Sequence, residues 1–159
     1  APTKPFGHRR ELDKPDYEEG DGWVQTCNLC AISLNKEYTD EEYADICYWS
    51  LKIIDYVIDN SDYEMTQIGA TTKKWRTAGV SVLNLANYLA VNNLNYSTTE
   101  SKQRIHELFE RHEYFLLEAS LRISKERGLA EWIHKTKYPE CYIPLDDYNK
   151  NVDKIADFI

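Results

Sequence analysis

The stretch Trp23-Val24-Gln25-Thr26-Cys27-Asn28-Leu29-Cys30-Ala31-Ile32-Ser33-Leu34 decides how the chain is read. It is compact and apolar, favours a pleated surface, and has no Pro or Gly inside, which predicts a strand over 23–34. The next segment is helical. Thr39-Asp40-Glu41-Glu42 forms a capping box, in which the Thr39 hydroxyl and the Glu42 carboxylate satisfy amide donors at a helix start. Behind it Tyr43, Ile46, Cys47, Ser50, Ile54, Val57 and Ile58 recur three and four residues apart, a buried stripe that predicts a helix over about 40–59.

Further along, 61–74 is polar without a clear period and reads as a connection with at most a helical turn. Between Arg76 and Val82 the signals conflict. Thr77, Val80 and Val82 favour extended structure, Leu83 to Ala90 favours helix, and Gly79 is the expected bend, so a helix is placed at 82–92. A second capping box, Ser97-Thr98-Thr99-Glu100, opens a long helix over 98–127. Its stripe is Ile105, Leu108, Phe109, His112, Phe115, Leu116, Ala119 and Ile123, and it stops before Gly128. Ala130 to Lys135 reads as a short turn of helix. After Pro144 an amphipathic segment with Tyr148, Val152 and Ile155 predicts a helix over 146–158. Ahead of the strand, 1–22 carries Pro2, Pro5 and Pro15 and almost no aliphatic residue, and reads as an extended loop or tail.

One strand cannot stand alone, because its amides and carbonyls need a ladder. Either Arg76 to Val82 pairs with it or another chain does. The composition fits a single soluble domain: 159 residues, 42% hydrophobic and 29% charged, enough to bury one core without a disulfide or metal. With 19 Lys+Arg against 27 Asp+Glu the net charge is -8, the wrong sign for a phosphate backbone, and the short clusters Arg9-Arg10 and Lys73-Lys74 with Arg76 do not reverse it. Nucleic acid and membrane are therefore poor partners. Nothing before Trp23 supplies the apolar run of a secretory leader, so the cytoplasm is the expected location, and Cys27, Cys30, Cys47 and Cys141 are expected to be thiols. Met65 is the only methionine, which makes Ala1 an expected processed or cut end.

Cys27-Asn28-Leu29-Cys30 has the spacing of a redox dithiol or of half a zinc site. In a strand, residues three apart point to opposite faces roughly 10 Å apart, too far for a shared metal or a disulfide. One thiol is thus expected on the core side and the other on the side the strand borders. His106 and His112 lie on different faces of the long helix, His112 on its apolar stripe as a satisfied core residue, while His8 and His134 are expected to be exposed. No phosphate loop, dinucleotide fingerprint or Ser-His-Asp order is present, so physical reading alone names no reaction.

A resemblance adds one. Pro2-Thr3-Lys4-Pro5, the run Thr26 to Leu34, Arg76-Thr77-Ala78-Gly79-Val80-Ser81-Val82-Leu83-Asn84 with Tyr88-Leu89-Ala90, Tyr114 to Ser120, Lys125 to Gly128 and Ile143 to Tyr148 keep the order and spacing of the large (catalytic) subunit of class I ribonucleotide reductase, which the chain resembles over nearly its whole length. The resemblance implies an α/β fold, a ten-stranded barrel of two five-stranded parallel halves with helices outside. This chain would be a mainly helical segment of the second half with one or two strands. It implies that Cys27 is one of two pocket thiols that become a disulfide as a ribonucleotide is reduced, with the partner thiol on a strand outside this sequence. Cys30 stands where the family has a small residue and is not given that role. Asn35, Trp75 and Ser81 depart from the family pattern in packing and turn positions, as expected of a divergent, phage-like or split-gene member.

The resemblance also implies that the radical-bearing cysteine, the phosphate loop, the tyrosine relay and the cysteines that exchange with the reductant lie outside these residues. No cofactor is expected on this segment. The implied partners are the remaining segments of the large subunit, a small subunit carrying a metal-linked radical, and a thioredoxin or glutaredoxin donor. The isolated chain is expected to be inactive, and its open strand edge over 23–34 could self-associate, which size exclusion would show. The alternative reading is a non-catalytic helical interaction module or an inactive remnant.

Overall fold

A computed structural model describes residue 24 and residues 26–143. The expected tail over 1–22 and helix over 146–158 lie outside the described residues. The elements in order are β1 (Asn28–Ser33), α1 (Asp40–Asn60), α2 (Thr66–Trp75), β2 (Ala78–Leu83), α3 (Leu85–Val91) and α4 (Thr99–Arg127), with two single 3-10 turns after them at Ile133–Lys135 and Tyr138–Glu140.

β1 and β2 pair in parallel, Asn28 opposite Ala78 through Ser33 opposite Leu83. The predicted strand is therefore shorter than 23–34, and of the two ways to relieve its isolation, pairing with the segment after Arg76 is the one observed. α1 begins as expected. The Glu42 amide donates to Thr39 Oγ1 at 3.2 Å, and the Thr39 amide to Glu42 Oε2 at 3.0 Å. At the start of α4 the cap shifts by one residue: Thr98, not Ser97, accepts from the Ser101 amide at 3.3 Å, so Glu100 does not close a box.

Three expectations need correction. Residues 66–75 form a helix rather than a connection, and the physical reason is that α2 buries small polar residues, Gln67, Gly69, Thr71 and Thr72, instead of an aliphatic stripe. Thr71 Oγ1 donates back to the Gln67 carbonyl at 2.8 Å, so a hydroxyl is buried without an orphaned donor. The helix after β2 starts at Leu85 rather than 82, because Val82 and Leu83 stay in the ladder. The turn is made by Asn84 at φ 70°, a left-handed conformation that Asn tolerates, and Gly79 sits inside the strand. Finally Val57 and Phe109, assigned to buried stripes, are exposed, while Tyr48 joins the core instead.

That core lies between the sheet, α1 and α4: Ile32, Tyr43, Cys47, Tyr48, Phe115 and Ala119 form one cluster. Its border is closed by charge. Arg76, left-handed at the end of α2 (φ 50°), donates from Nε to Asp55 Oδ1 at 2.6 Å and from Nη1 to Asp59 Oδ1 at 2.7 Å. Arg127 at the end of α4 pairs with the same two carboxylates. Two acids on α1 thus hold the ends of two other helices, and the paired Arg76 side chain holds the Asp59 carboxyl down at about 2.

Candidate functional site

Among the described residues, helices cover only one face of the two-stranded sheet. Side chains alternate along a strand, so Ile32, in the core, places Cys30 on the helix side, and Leu29 and Ala31 on the other. Leu29 is 75% exposed and Leu83 57%, on the face that no described element covers. Leu29 lies over Gly79, opposite it in the ladder. A Cβ at Gly79 would stand 2.8 Å from Leu29 Cδ2, so the glycine makes room for the leucine. Around these residues Leu29, Cys30, Ala31, Gly79, Val80 and Ser81 line an open hollow of about 490 Å³.

The beginning of the strand is pinned by side chains. Asn28 Nδ2 donates to the Thr77 carbonyl at 3.1 Å, tying the starts of β1 and β2 together, and Thr26 and Thr72 hydroxyls meet at 3.2 Å. Cys27 stands between these anchors, one residue before β1, and is exposed. Cys30 is in the strand, half-buried, opposite Val80. The two thiols therefore divide as expected, one toward the helices and one outward. Cys47 is a buried thiol pushed up to about 11 by burial, which makes it a poor nucleophile at neutral pH, and Cys141 is exposed. All four are free.

Behind the sheet, His112 of α4 links both layers. Its Nε2 lies 2.9 Å from the Val80 carbonyl and its Nδ1 2.9 Å from the Tyr43 hydroxyl. A carbonyl only accepts, so Nε2 carries the proton and Nδ1 accepts from Tyr43. Burial raises the Tyr43 phenol to about 12, which keeps it a donor at any ordinary pH. The expectation that His112 is a satisfied core residue fits this arrangement, and His134 is exposed as expected. Sequence reasoning missed the anchors Asn28, Thr72 and Tyr43, whose partners lie 49, 46 and 69 residues away. Among the described residues no three His, Cys, Asp or Glu side chains gather as a metal site, and no helix is long and apolar enough to cross a membrane.

Chemically, the two thiols act separately: Cys30 is fixed in the ladder toward the helices, and Cys27 is open at the start of the strand. Comparison with known proteins gives this geometry its context. The family model for the ribonucleotide reductase barrel domain matches residues 11–158. Ribonucleoside-diphosphate reductase subunit alpha of Haemophilus influenzae is 30% identical over 155 residues, which is 98% of this chain and 19% of that protein. The subunit alpha of Enterobacteria phage T4 is 32% identical over 148 residues, 92% of this chain and 19% of that protein. Ribonucleoside-diphosphate reductase 1 subunit alpha of Escherichia coli K12 is 35% identical over 99 residues, 62% of this chain and 13% of that protein. The chain spans about a fifth of the length of the first two relatives. A mainly helical segment with a short parallel sheet, matched almost end to end by that family model, belongs to the ribonucleotide reductase barrel-domain family.

Proposed function

We propose that the chain works as a segment of a ribonucleoside-diphosphate reductase large subunit and carries one half of the thiol pair that reduces a ribonucleotide. The observation that carries this is Cys27, exposed at the start of a strand whose outer face no described element covers, within a barrel-domain segment. In the proposed reaction two thiols become one disulfide and give up two electrons and two protons; the ribose loses a hydroxyl as water and gains a hydrogen in its place. A thioredoxin-type dithiol then restores the pair by exchange. The second thiol, the radical-generating small subunit and the reductant are partners, and the cytoplasm is where such a dithiol stays reduced.

Cys27 is the thiol the resemblance assigns, and its exposure suits attack by an external dithiol. A second reading assigns Cys30. It lines the hollow and is held in the ladder, and a reacting group needs a fixed position. Cys27→Ser and Cys30→Ser, each in the large subunit assembled with its remaining segments, decide between them. With thioredoxin as reductant the variant lacking the reacting thiol loses deoxyribonucleotide formation and the other keeps it. Activity retained in both, with the unaltered subunit active, removes the thiol role from this strand.

A further inference from the structure

We propose that Thr72, Thr26 and Asn28 are positioning residues for the thiol of Cys27: hydrogen bonds through their side chains fix the backbone on both sides of that cysteine and leave its sulfur free to react. This rests on the function proposed for the chain, with Cys27 as the reacting thiol.

α2 buries hydroxyls in place of an aliphatic stripe, and Thr71 and Thr72 are 0% and 2% exposed. A buried hydroxyl is costly unless it is bonded. Both find partners in the segment that leads into β1. The Thr71 proton is shared between the Gln67 carbonyl of its own helix and the Val24 carbonyl. Thr72 Oγ1 lies 3.2 Å from Thr26 Oγ1, and Thr26 Oγ1 lies 3.4 Å from Asn28 Oδ1.

An amide oxygen only accepts, so Thr26 donates to Asn28 and Thr72 donates to Thr26. The Asn28 amide nitrogen then donates to the Thr77 carbonyl at 3.1 Å. One directed chain thus runs Thr72, Thr26, Asn28, Thr77, and it steps over Cys27. Its ends are themselves fixed, because Arg76, between Thr72 and Thr77, is held by Asp55 and Asp59 of α1.

Asn28, Cys30 and Ile32 turn to the helices, and continuing the alternation puts Cys27 with Leu29 and Ala31 on the face that no described element covers, where it is exposed and free. A thiol that forms a disulfide needs its Cα within about 7 Å of its partner's, and a displacement of about 1 Å at a reacting group costs about a hundredfold in rate. A backbone held on both sides with the thiol left open meets that requirement. A bond to the sulfur itself would have to break at each turnover.

The test uses the large subunit assembled from this chain and its remaining segments, with thioredoxin as reductant. Thr72→Val keeps the volume and loses the hydroxyl, while Thr72→Ser loses a methyl and keeps it. Asn28→Ala cuts the link to Thr77 at a half-buried position, so the test does not depend on the buried site alone. Thr72→Val and Asn28→Ala should each lower kcat at least about tenfold with the ribonucleotide KM within about twofold of the parent, and Thr72→Ser should keep kcat within about threefold. The Cys27 disulfide is also equilibrated with dithiothreitol, which reduces it to two thiols and leaves as its own cyclic disulfide. That equilibrium should shift about tenfold toward the thiols in Thr72→Val and Asn28→Ala only, because loosening one thiol lowers its effective concentration at the other. Thr72→Ser losing as much kcat as Thr72→Val, unchanged kcat in Asn28→Ala, or an unmoved disulfide equilibrium would overturn the inference. Failure of the functional reading looks different: Cys27→Ser in the assembled subunit keeps full thioredoxin-driven activity, and no disulfide forms at position 27 in the parent.

Discussion

Replacing Tyr43 with Phe removes one oxygen from the core and nothing else. The ring keeps its edge contacts with Phe115 and His112, whose centroids lie 6.1 and 5.9 Å away, but His112 Nδ1 loses its donor. Tyr43 is fully buried and His112 is 5% exposed, so water does not readily replace the hydroxyl. An unsatisfied buried acceptor costs about 1–3 kcal/mol, and for a chain of this size each kcal/mol lowers the melting temperature by roughly 2–4 °C. Urea unfolding at neutral pH measures the loss directly. His112→Leu leaves two orphans, the Tyr43 hydroxyl and the Val80 carbonyl, while the double variant leaves only the carbonyl. The two substitutions should therefore be less than additive by at least about 0.5 kcal/mol. Imidazole nitrogen shifts should show the proton on Nε2. A Tyr43→Phe variant within about 0.5 kcal/mol of the parent, or a proton on Nδ1, would refute the reasoning.

The same geometry leads to other outcomes. Asp59 titrates at about 2 when folded, below its ordinary 3.8. A depressed carboxyl stabilises above its unfolded value and loses that contribution as pH falls through the folded one, so stability should drop between pH 3.8 and about 2, and Arg76→Met should flatten that drop in urea titrations across this range. Asn84→Ala should destabilise by about 1 kcal/mol because the alanine Cβ disfavours the left-handed φ of 70° that Asn and Gly adopt more readily, and Asn84→Gly should not; thermal melts of the pair check this. In a thiol-reagent assay Cys27 and Cys141 should react at once and Cys47 only on unfolding, and prompt labelling of Cys47 would contradict its burial. Gly79→Ala should leave stability within about 1 kcal/mol, since the atom it meets is the free end of the exposed Leu29, but should shift Leu29 side-chain resonances.

Elements with a local cause were legible in the sequence. The Thr39–Glu42 box is complete within four residues, and α4 ends where Gly128 adopts φ 89°, so both boundaries show in composition. α2 was hidden because its buried face is Gln67, Gly69, Thr71 and Thr72, with no apolar period to find. Gly69 is needed there because a Cβ would come within 3.1 Å of Tyr63 Cβ, a contact no local pattern announces. The start of α3 was misplaced because the helical signal from Leu83 onward overran the extended preference of Val82, and only pairing with β1 keeps Val82 and Leu83 in the strand. At the candidate site the C-x-x-C spacing was visible and so was its division between two faces. Its anchors, Asn28 to Thr77 and Thr26 to Thr72, are tertiary and were not.

The parallel register of β1 and β2 also governs how this segment comes into being. Asn28 pairs with Ala78, 50 positions later, so no hairpin can nucleate the sheet. During synthesis β1 leaves the ribosome well before its partner and must wait while Asp40–Trp75 coils into two helices that bring the ends together. A chain break tolerated by this polypeptide should therefore fall outside 28–83, in a linker such as 92–98, because a cut inside the crossover would turn ladder closure from an intramolecular event into an encounter between separate molecules.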